Sequence, residues 1–213
     1  SKTDIAVAYA DIARGFANRR IIMTAPDQCV VTIDALDTLV PGYYLNAALV
    51  GKMAAASPSQ PFTEDSIIGI KGVVGSQDYF GEPQLSILSG GGIWVFQKDT
   101  DSSPVITRHQ LTTDMSSLKT REASIVRAVD ASAMYFRGAL RNFIGRFNIT
   151  QTLVDSLSTV SDGIAAYLVK ENVMKEIDII GLRQSADNPD DVEIDVDMQP
   201  YYPCNKIRVR MVI

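Results

Sequence analysis

The sequence predicts a mixed α+β / α/β fold in which a mixed sheet flanked by helices precedes long helices and a three-strand β tail. Residues 1–117 alternate short stretches with helical and strand-like spacing of apolar residues. Residues 118–213 open with two long helical patterns and end in three strand-like runs. We therefore expect an α/β part over 1–117 and a helical and β part over 118–213, packed as one compact unit.

Turn-forming residues and apolar spacing delimit the elements of the first half. Pro41 and Gly42 open one helix, and the linker SPSQP follows it at residues 57–61. The predicted helices cover residues 3–18, 41–53 and 82–88, and the predicted strands cover residues 20–24, 29–33, 67–74 and 93–97.

The second half opens with apolar residues spaced three and four apart, as on one face of a helix. Ile125, Val129, Phe136 and Leu140 belong to this pattern, which predicts a helix over residues 118–146. At 1.5 Å per residue it would be roughly 40 Å long. A second helix is predicted from Thr150 or Thr152 through residue 169, and we expect the two helices to pack together.

The last 22 residues, VEIDVDMQPYYPCNKIRVRMVI, contain two alternating strands of opposite charge. Between apolar residues, the first strand carries carboxylates and the second carries basic side chains. The charged residues are Glu193, Asp195 and Asp197 on the first strand and Lys206, Arg208 and Arg210 on the second. The basic strand is expected to pair either with its own chain or with a neighbouring subunit, and we favour the neighbour as the site of an inter-subunit strand linkage.

Composition excludes several classes of function. With 213 residues, 46% hydrophobic and 21% charged, the chain has an ordinary globular composition. A net charge of −5 argues against a nucleic-acid partner, because duplex binding depends on basic residues that neutralise phosphates. Apolar runs are too short to span a bilayer, the first residues lack a secretory signal pattern, and two distant cysteines do not form a disulfide framework or a metal motif.

No group of residues indicates catalysis. The run SGGG at residues 89–92 follows a predicted helix and precedes a strand, which is the reverse of a phosphate loop and is typical of a helix C-cap. His109 is the sole histidine and has no partner motif nearby. Asp99 and Asp101 lie in a short acidic turn that lacks the donors of a calcium loop. We expect no enzyme activity, no cofactor and no metal.

Basic residues are concentrated on the first long helix, although the chain as a whole is acidic. Arg127, Arg137 and Arg141 are the candidates for a contact surface, and Arg121 and Arg146 extend it. An ordinary solvated face would explain the same pattern. Alternatively, charge of one sign orients an acidic protein partner.

Five segments resemble the core of contractile tail sheath proteins, in the same order and spacing. These are VPGYYLNAALVGKMA, IIGIKGVVGSQDYF, EPQLSILSGGGIWVFQKD, PVITRHQLTT and the C-terminal QSADNPDDVEIDVDMQPYYPCNKIRVRMVI. The resemblance covers nearly the whole chain. Sheath proteins usually carry an extended N-terminal arm and often an inserted outer domain, whereas this chain begins with a helix near Thr3. The step WVFQKDT, residues 94–100, also departs from the sheath pattern.

The resemblance implies a structural subunit of a bacteriophage tail or a related contractile injection system. Such subunits polymerise as stacked hexameric rings around an inner tail tube and contract to drive the tube through the host envelope. The implied partners are further copies of the chain, the tube protein, the baseplate and the tail terminator, with no nucleic acid and no direct membrane insertion. The implied location is the virion tail, assembled in the host bacterial cytoplasm, with Arg127, Arg137 and Arg141 facing the tube.

Two other functions remain open at the level of sequence. One is another tail component of the same fold, such as a terminator or a baseplate-proximal protein. The other is an α/β enzyme whose site the sequence does not reveal.

Overall fold

The computed structural model describes residues 1–74, 80–100 and 102–211, which form two compact units. Unit 1 contains Ser1–Val126 and the residues that follow Tyr202, and unit 2 contains Arg127–Tyr202. The division predicted between residues 117 and 118 stays a prediction.

Two three-stranded sheets form the framework of unit 1. One has the order β1-β5-β6, with β1 parallel and β6 antiparallel to β5. The other has the order β3-β2-β4 and is antiparallel. The strands are β1 (Met23–Ala25), β2 (Gln28–Ile33), β3 (Leu36–Pro41), β4 (Ile70–Val74), β5 (Ile93–Gln97) and β6 (Ile106–Thr107), and the helices are α1 (Lys2–Phe16), α2 (Tyr43–Ala55), α3 (Glu82–Gly90) and α4 (Leu118–Arg121).

Strand β5 lies at the centre of unit 1, because both of its faces are buried. Trp94 and Phe96 pack into a cluster with Leu45 of α2, while Ile93 and Val95 pack against α1 and α3. Alternate residues of a strand point to opposite faces, so a strand covered on both sides needs an uninterrupted apolar run. This explains why the sequence IWVF has no polar alternation.

Helix α1 contacts α3 through small side chains. Ala6, Ala10 and Ala13 are fully buried. At the end of α3, a Cβ atom on Gly91 would lie 2.5 Å from Cβ of Ala10, far inside contact distance. The glycine run is therefore a helix C-cap, as the sequence predicted, and the structure adds that it is a close packing point.

Unit 2 consists of helices packed on a two-stranded sheet. Helix α5 (Ala123–Leu140) starts in the last residues of unit 1 and is followed by a 3₁₀ turn (Arg141–Phe143), α6 (Gln151–Lys170), β7 (Glu176–Gln184) and β8 (Val192–Gln199). Its core contains Phe136 of α5, Leu168 of α6 and Ile177 of β7, with Val196 and Met198 of β8 packed against it.

The predicted fold class, with helices and sheets mixed, is confirmed. Of the two predicted starts of helix α6, Thr150 is the cap, and its side chain accepts a hydrogen bond from the backbone N–H of Leu153. The helix predicted over 118–146 is interrupted at Glu122, where the backbone is extended, and it ends at Leu140. Strand β3 was not predicted, and residues 75–79 of the second sheath-like motif lie outside the described part of the chain.

Candidate assembly interface

Strands β7 and β8 form an antiparallel hairpin whose outer edges are open. Within the described residues, each pairs only with the other. The register aligns Arg183 with Glu193 and Asp178 with Asp197, and a bulge lies between Ile179 and Gly181. An unpaired strand edge presents free N–H and C=O groups, which are a template for another strand.

The two faces of β8 differ in chemistry. Val196 and Met198 contact the core of unit 2. Glu193, Asp195 and Asp197 alternate with them and so point to the opposite face. The predicted alternation of this strand is confirmed, and its carboxylates lie along one side.

Arg183 of β7 neutralises part of this acidic face. Its guanidinium lies 2.7 Å from Glu193 Oε2 and donates a short hydrogen bond to Asp195. This hydrogen bond, together with the two negative charges, raises the pKa of Arg183. Asp197 lies across from another carboxylate, Asp178, and no ion pair to either is found among the described residues. Negative charge therefore remains at the end of the hairpin near Gln199.

The predicted basic strand, residues 206–213, does not pair within its own chain over the part that is described. Residues 200–211 contain no strand, and residues 212 and 213 lie outside the description. Ile207, Val209 and Met211 are 81%, 77% and 89% exposed. Lys206, Arg208 and Arg210 are exposed as well. We call residues 206–213 the basic segment. Its sequence alternates like a strand, and its described residues, 206–211, have no partner strand.

Asn205, the residue immediately before the basic segment, is hydrogen-bonded to other residues of unit 1. The side-chain amide of Asn205 accepts a hydrogen bond from Thr63 Oγ1 at 2.9 Å and donates one to Glu122 Oε1 at 3.0 Å. Its nitrogen also lies 3.1 Å from His109 Nε2. His109 Nε2 in turn lies 2.9 Å from Glu122 Oε1, and Gln110 Nε2 donates to Glu122 Oε2 at 3.4 Å.

Glu122 is the buried centre of this cluster, with no exposed surface. Burial raises the pKa of its carboxyl, but hydrogen bonds from His109 and Asn205 and the positive charge of Arg121 outweigh burial and lower the pKa below its ordinary value. Sequence reasoning missed this cluster, because Glu122 fell inside an uninterrupted helical pattern. A carboxylate at an otherwise apolar helix position was the one available signal.

The three candidate arginines of the basic helix differ in exposure. Arg137 and Arg141 are exposed at the end of α5 and in the 3₁₀ turn, whereas Arg127 is half-buried. Burial lowers the pKa of Arg127. Ile144 and Phe147, which follow the turn, are 77% and 61% exposed. The exposed surface thus combines basic and large apolar side chains, as many protein interfaces do.

The described residues contain neither a cluster of metal ligands nor a membrane-spanning helix. No group of three or more His, Cys, Asp and Glu side chains among them is placed to hold a metal ion. No helix found there has the length and apolar character needed to cross a membrane. The one pair of cysteines is unbonded, with Cys29 buried and Cys204 exposed.

Comparison with known proteins shows which fold this is. The chain is 28% identical over 202 residues to the tail sheath protein of Mycobacterium phage Bxz1, a match that covers 93% of this chain and 34% of that protein. It superposes on the contracted helical sheath of the anti-feeding prophage with a TM-score of 0.73 at 17% identity, covering 92% of this chain and 56% of that one. The chain has the tail sheath fold.

A second solved structure with this fold is the sixfold-symmetrised baseplate of the anti-feeding prophage. Its TM-score is 0.70 at 16% identity, over 100% of this chain and 66% of that one. No family model matches the chain. The chain thus spans about a third of the phage relative and between about a half and two thirds of these structures. The resemblance to contractile tail sheath proteins is confirmed, and none of these names denotes an enzyme.

Proposed function

We propose that this chain is a non-enzymatic structural subunit of a contractile tail sheath. It would polymerise as stacked hexameric rings around an inner tail tube, and contraction of the stack would drive the tube through the host envelope. The further partners would be the baseplate and the tail terminator, and the location would be the virion tail, assembled in the host bacterial cytoplasm. The similarity to a phage tail sheath protein and the tail sheath fold support this role.

The observation that carries the proposal is an open acidic strand in one unit and an unpaired basic strand pattern in the other. The basic segment of one subunit would add to the edge of the hairpin in a neighbouring subunit. Addition of a strand to a sheet edge is a common mode of protein recognition. It also leaves each subunit tethered to its neighbour while rings move relative to one another.

Both faces of β8 match the basic segment. Beside β8, Ile207, Val209 and Met211 would extend the apolar face formed by Val196 and Met198. The alternate side chains, Lys206, Arg208 and Arg210, would then lie beside Glu193, Asp195 and Asp197 on the acidic face. Shifting the pairing by one residue would place charges against the core, so this match also specifies the register.

The expected strength suits a link that is repeated around a ring. A strand of this length forms about five backbone hydrogen bonds, each contributing roughly 0.5–1.5 kcal/mol net. One link is then worth a few kcal/mol, and many links act together in a polymer. The charged residues contribute mainly by disfavouring wrong partners.

Electron microscopy of the purified 213-residue chain tests the proposal directly. Long hollow cylinders or stacked rings are expected at high concentration. A chain that stays monomeric at all concentrations would contradict the role of sheath subunit.

The basic end of α5 is proposed to contact the tube. Arg137 and Arg141 are exposed, and the exposed apolar residues Ile144 and Phe147 follow them in the chain, whereas half-buried Arg127 is less suited to a direct contact. Charge reversal at Arg137 and Arg141 should weaken co-assembly with tail tubes, while reversal of Arg14 in α1 serves as a matched control for loss of basic charge. Unchanged co-assembly of the Arg137 and Arg141 variant would exclude this surface.

A baseplate-proximal role is the second candidate, and the baseplate structure with a TM-score of 0.70 favours it. The two roles differ in polymer length. A sheath subunit should extend into long tubes, whereas a baseplate-proximal protein should stop at a single ring. The same micrographs therefore discriminate between them.

A further inference from the structure

Asn205 immediately precedes the basic segment and is hydrogen-bonded to other residues of unit 1. Its side chain bridges Thr63, which follows α2, and Glu122, which lies between α4 and α5. From Lys206 to Met211 the described residues are exposed and outside any strand. Asn205 is thus hydrogen-bonded to other parts of unit 1, and the exposed residues 206–211 follow it directly.

The hydrogen-bonding capacity of the cluster requires Asn205 in the observed orientation. Asn205 Nδ2 can only donate, and Glu122 Oε1 as a carboxylate can only accept. A proton on His109 Nε2 satisfies the 2.9 Å contact with Glu122, since an unprotonated nitrogen would face the carboxylate oxygen with two lone pairs opposed. Glu122 Oε1 therefore receives donors from both His109 and Asn205, while Asn205 Oδ1 accepts from Thr63.

The burial of Glu122 makes these donors important. A fully buried carboxylate has no water to replace a lost hydrogen bond, so the free energy of the fold depends on the protein donors that remain. Gln110 is too distant to compensate well, at 3.4 Å from the other oxygen, and it also donates to Ser124 Oγ at 2.9 Å. Release of Asn205 would thus leave a buried charge with fewer partners.

We propose that Asn205, Thr63, His109 and Glu122 form a latch that fixes the root of the basic segment to unit 1, with Asn205 as its positioning residue. The latch determines the point on unit 1 from which the segment departs, so that the segment pivots after residue 205. The latch deepens the proposed addition of the basic segment to a neighbouring hairpin. It rests on that proposed function only for the role of the segment as a link between subunits. A fixed root restricts the directions in which the segment reaches a neighbour, which lowers the entropy lost on binding.

Limited trypsin digestion of the 213-residue chain tests the latch without any assembly. Trypsin needs an extended, mobile backbone around the cleaved bond, so cleavage after Lys206 should be slow while Asn205 is held. Cleavage after Arg210, in the exposed segment, provides an internal reference. In Asn205→Ala, cleavage after Lys206 should accelerate at least about fivefold relative to Arg210, as loss of a charged hydrogen bond predicts.

Exchanging the amide and the carboxylate between positions 205 and 122 distinguishes a specific latch from a general loss of structure in the variants. Asn205→Asp places a second carboxylate beside Glu122 and should accelerate cleavage after Lys206 more than the alanine variant does. The double variant Asn205→Asp with Glu122→Gln restores one donor and one acceptor and should return the ratio to within about twofold of the wild type, as coupled residues do in a double-mutant cycle. Asn188→Ala, at the hairpin turn, is the control and should leave the ratio unchanged.

Trp94 fluorescence and the ratio of the two cleavage rates together decide whether the latch exists. Fluorescence of Trp94, the one tryptophan and fully buried in unit 1, reports whether each variant is folded. Folded Asn205 variants with an unchanged cleavage ratio, or a double variant as fast as Asn205→Asp, would overturn the latch. Because digestion uses the unassembled chain, a failed latch and a failed sheath role are read by separate experiments.

Discussion

Strand β8 and the basic segment have nearly the same pattern but different structures. Both alternate apolar and charged residues, one as VEIDVDM and the other as KIRVRMVI. The first is paired with β7 and packs Val196 and Met198 on the core, whereas the described part of the second is unpaired and its apolar side chains are exposed.

An alternating pattern is therefore compatible with a strand but does not by itself produce one. A strand gains most of its stability from neighbours across the sheet and from burial of one face. β8 obtains both within its own unit. The basic segment has its pattern and a fixed root, and a partner in another subunit would supply what it lacks.

The largest expected effect comes from removing the basic segment. Deletion of residues 206–213 should abolish polymerisation and leave the fold intact, because the described side chains of this segment are exposed. Electron microscopy reads the polymer, and Trp94 fluorescence reads the fold. Polymers formed by the truncated chain would show that another surface provides the link.

Charge reversal should produce the next largest effect. Replacing Lys206, Arg208 and Arg210 by Glu turns three attractive cross-strand pairs into repulsive ones, which costs about 1–6 kcal/mol per link. The critical concentration for assembly, measured by sedimentation, should rise accordingly. Reversal of Glu193, Asp195 and Asp197 to Lys in the same chain should restore assembly. If the double reversal stayed as defective as the single one, the two strands would not be partners.

Acid should weaken the held root of the basic segment, because it protonates the buried carboxylate of Glu122. The pKa of Glu122 is lower in the folded chain than its ordinary value of 4.5, so its contribution to stability is present above that value and is lost as the pH falls through the lowered pKa. At neutral pH, Glu122→Gln should cost about 1–3 kcal/mol of the free energy of unfolding. Urea unfolding followed by Trp94 fluorescence should show a smaller loss of stability in acid for this variant than for the wild type.

The smallest effect is expected at Arg183. Its ion pairs with Glu193 and Asp195 are exposed, and such pairs contribute about 0–1 kcal/mol. Arg183→Gln should leave the unfolding midpoint nearly unchanged but leave β8 more acidic. Assembly of this variant should therefore become more sensitive to salt. An unfolding midpoint several degrees lower would instead assign Arg183 a structural role in the hairpin.

Much of the fold could be predicted because many elements carry local signals. The Thr150 cap, the continuous apolar run of β5 and the alternation of β8 each mark an element within a few residues. Strand β3 carried no such signal, since most of its side chains are exposed and its sequence leads directly into the Pro41 and Gly42 helix start.

The candidate interface was only half accessible to sequence reasoning. Its charged residues alternate along the chain and can be recognised there. The latch joins Asn205 to Glu122 across 83 positions, so only the folded chain brings them together. The break in the helix at Glu122 also depends on contacts between residues distant in sequence. Ala123 N–H donates to Gln110 O at 3.0 Å, and Thr112 N–H donates to Arg121 O at 2.8 Å. Helical periodicity reveals neither contact.

The uneven charge of the hairpin would give the proposed strand addition a direction. Arg183 shields Glu193 and Asp195, whereas Asp178 and Asp197 face each other near the opposite end. A basic strand that approaches in solution is attracted most strongly to the unshielded end. Pairing with β8 would then start beside Gln199 and proceed residue by residue toward Val192. Separation of the two strands would start from the shielded end, where the attraction is weakest.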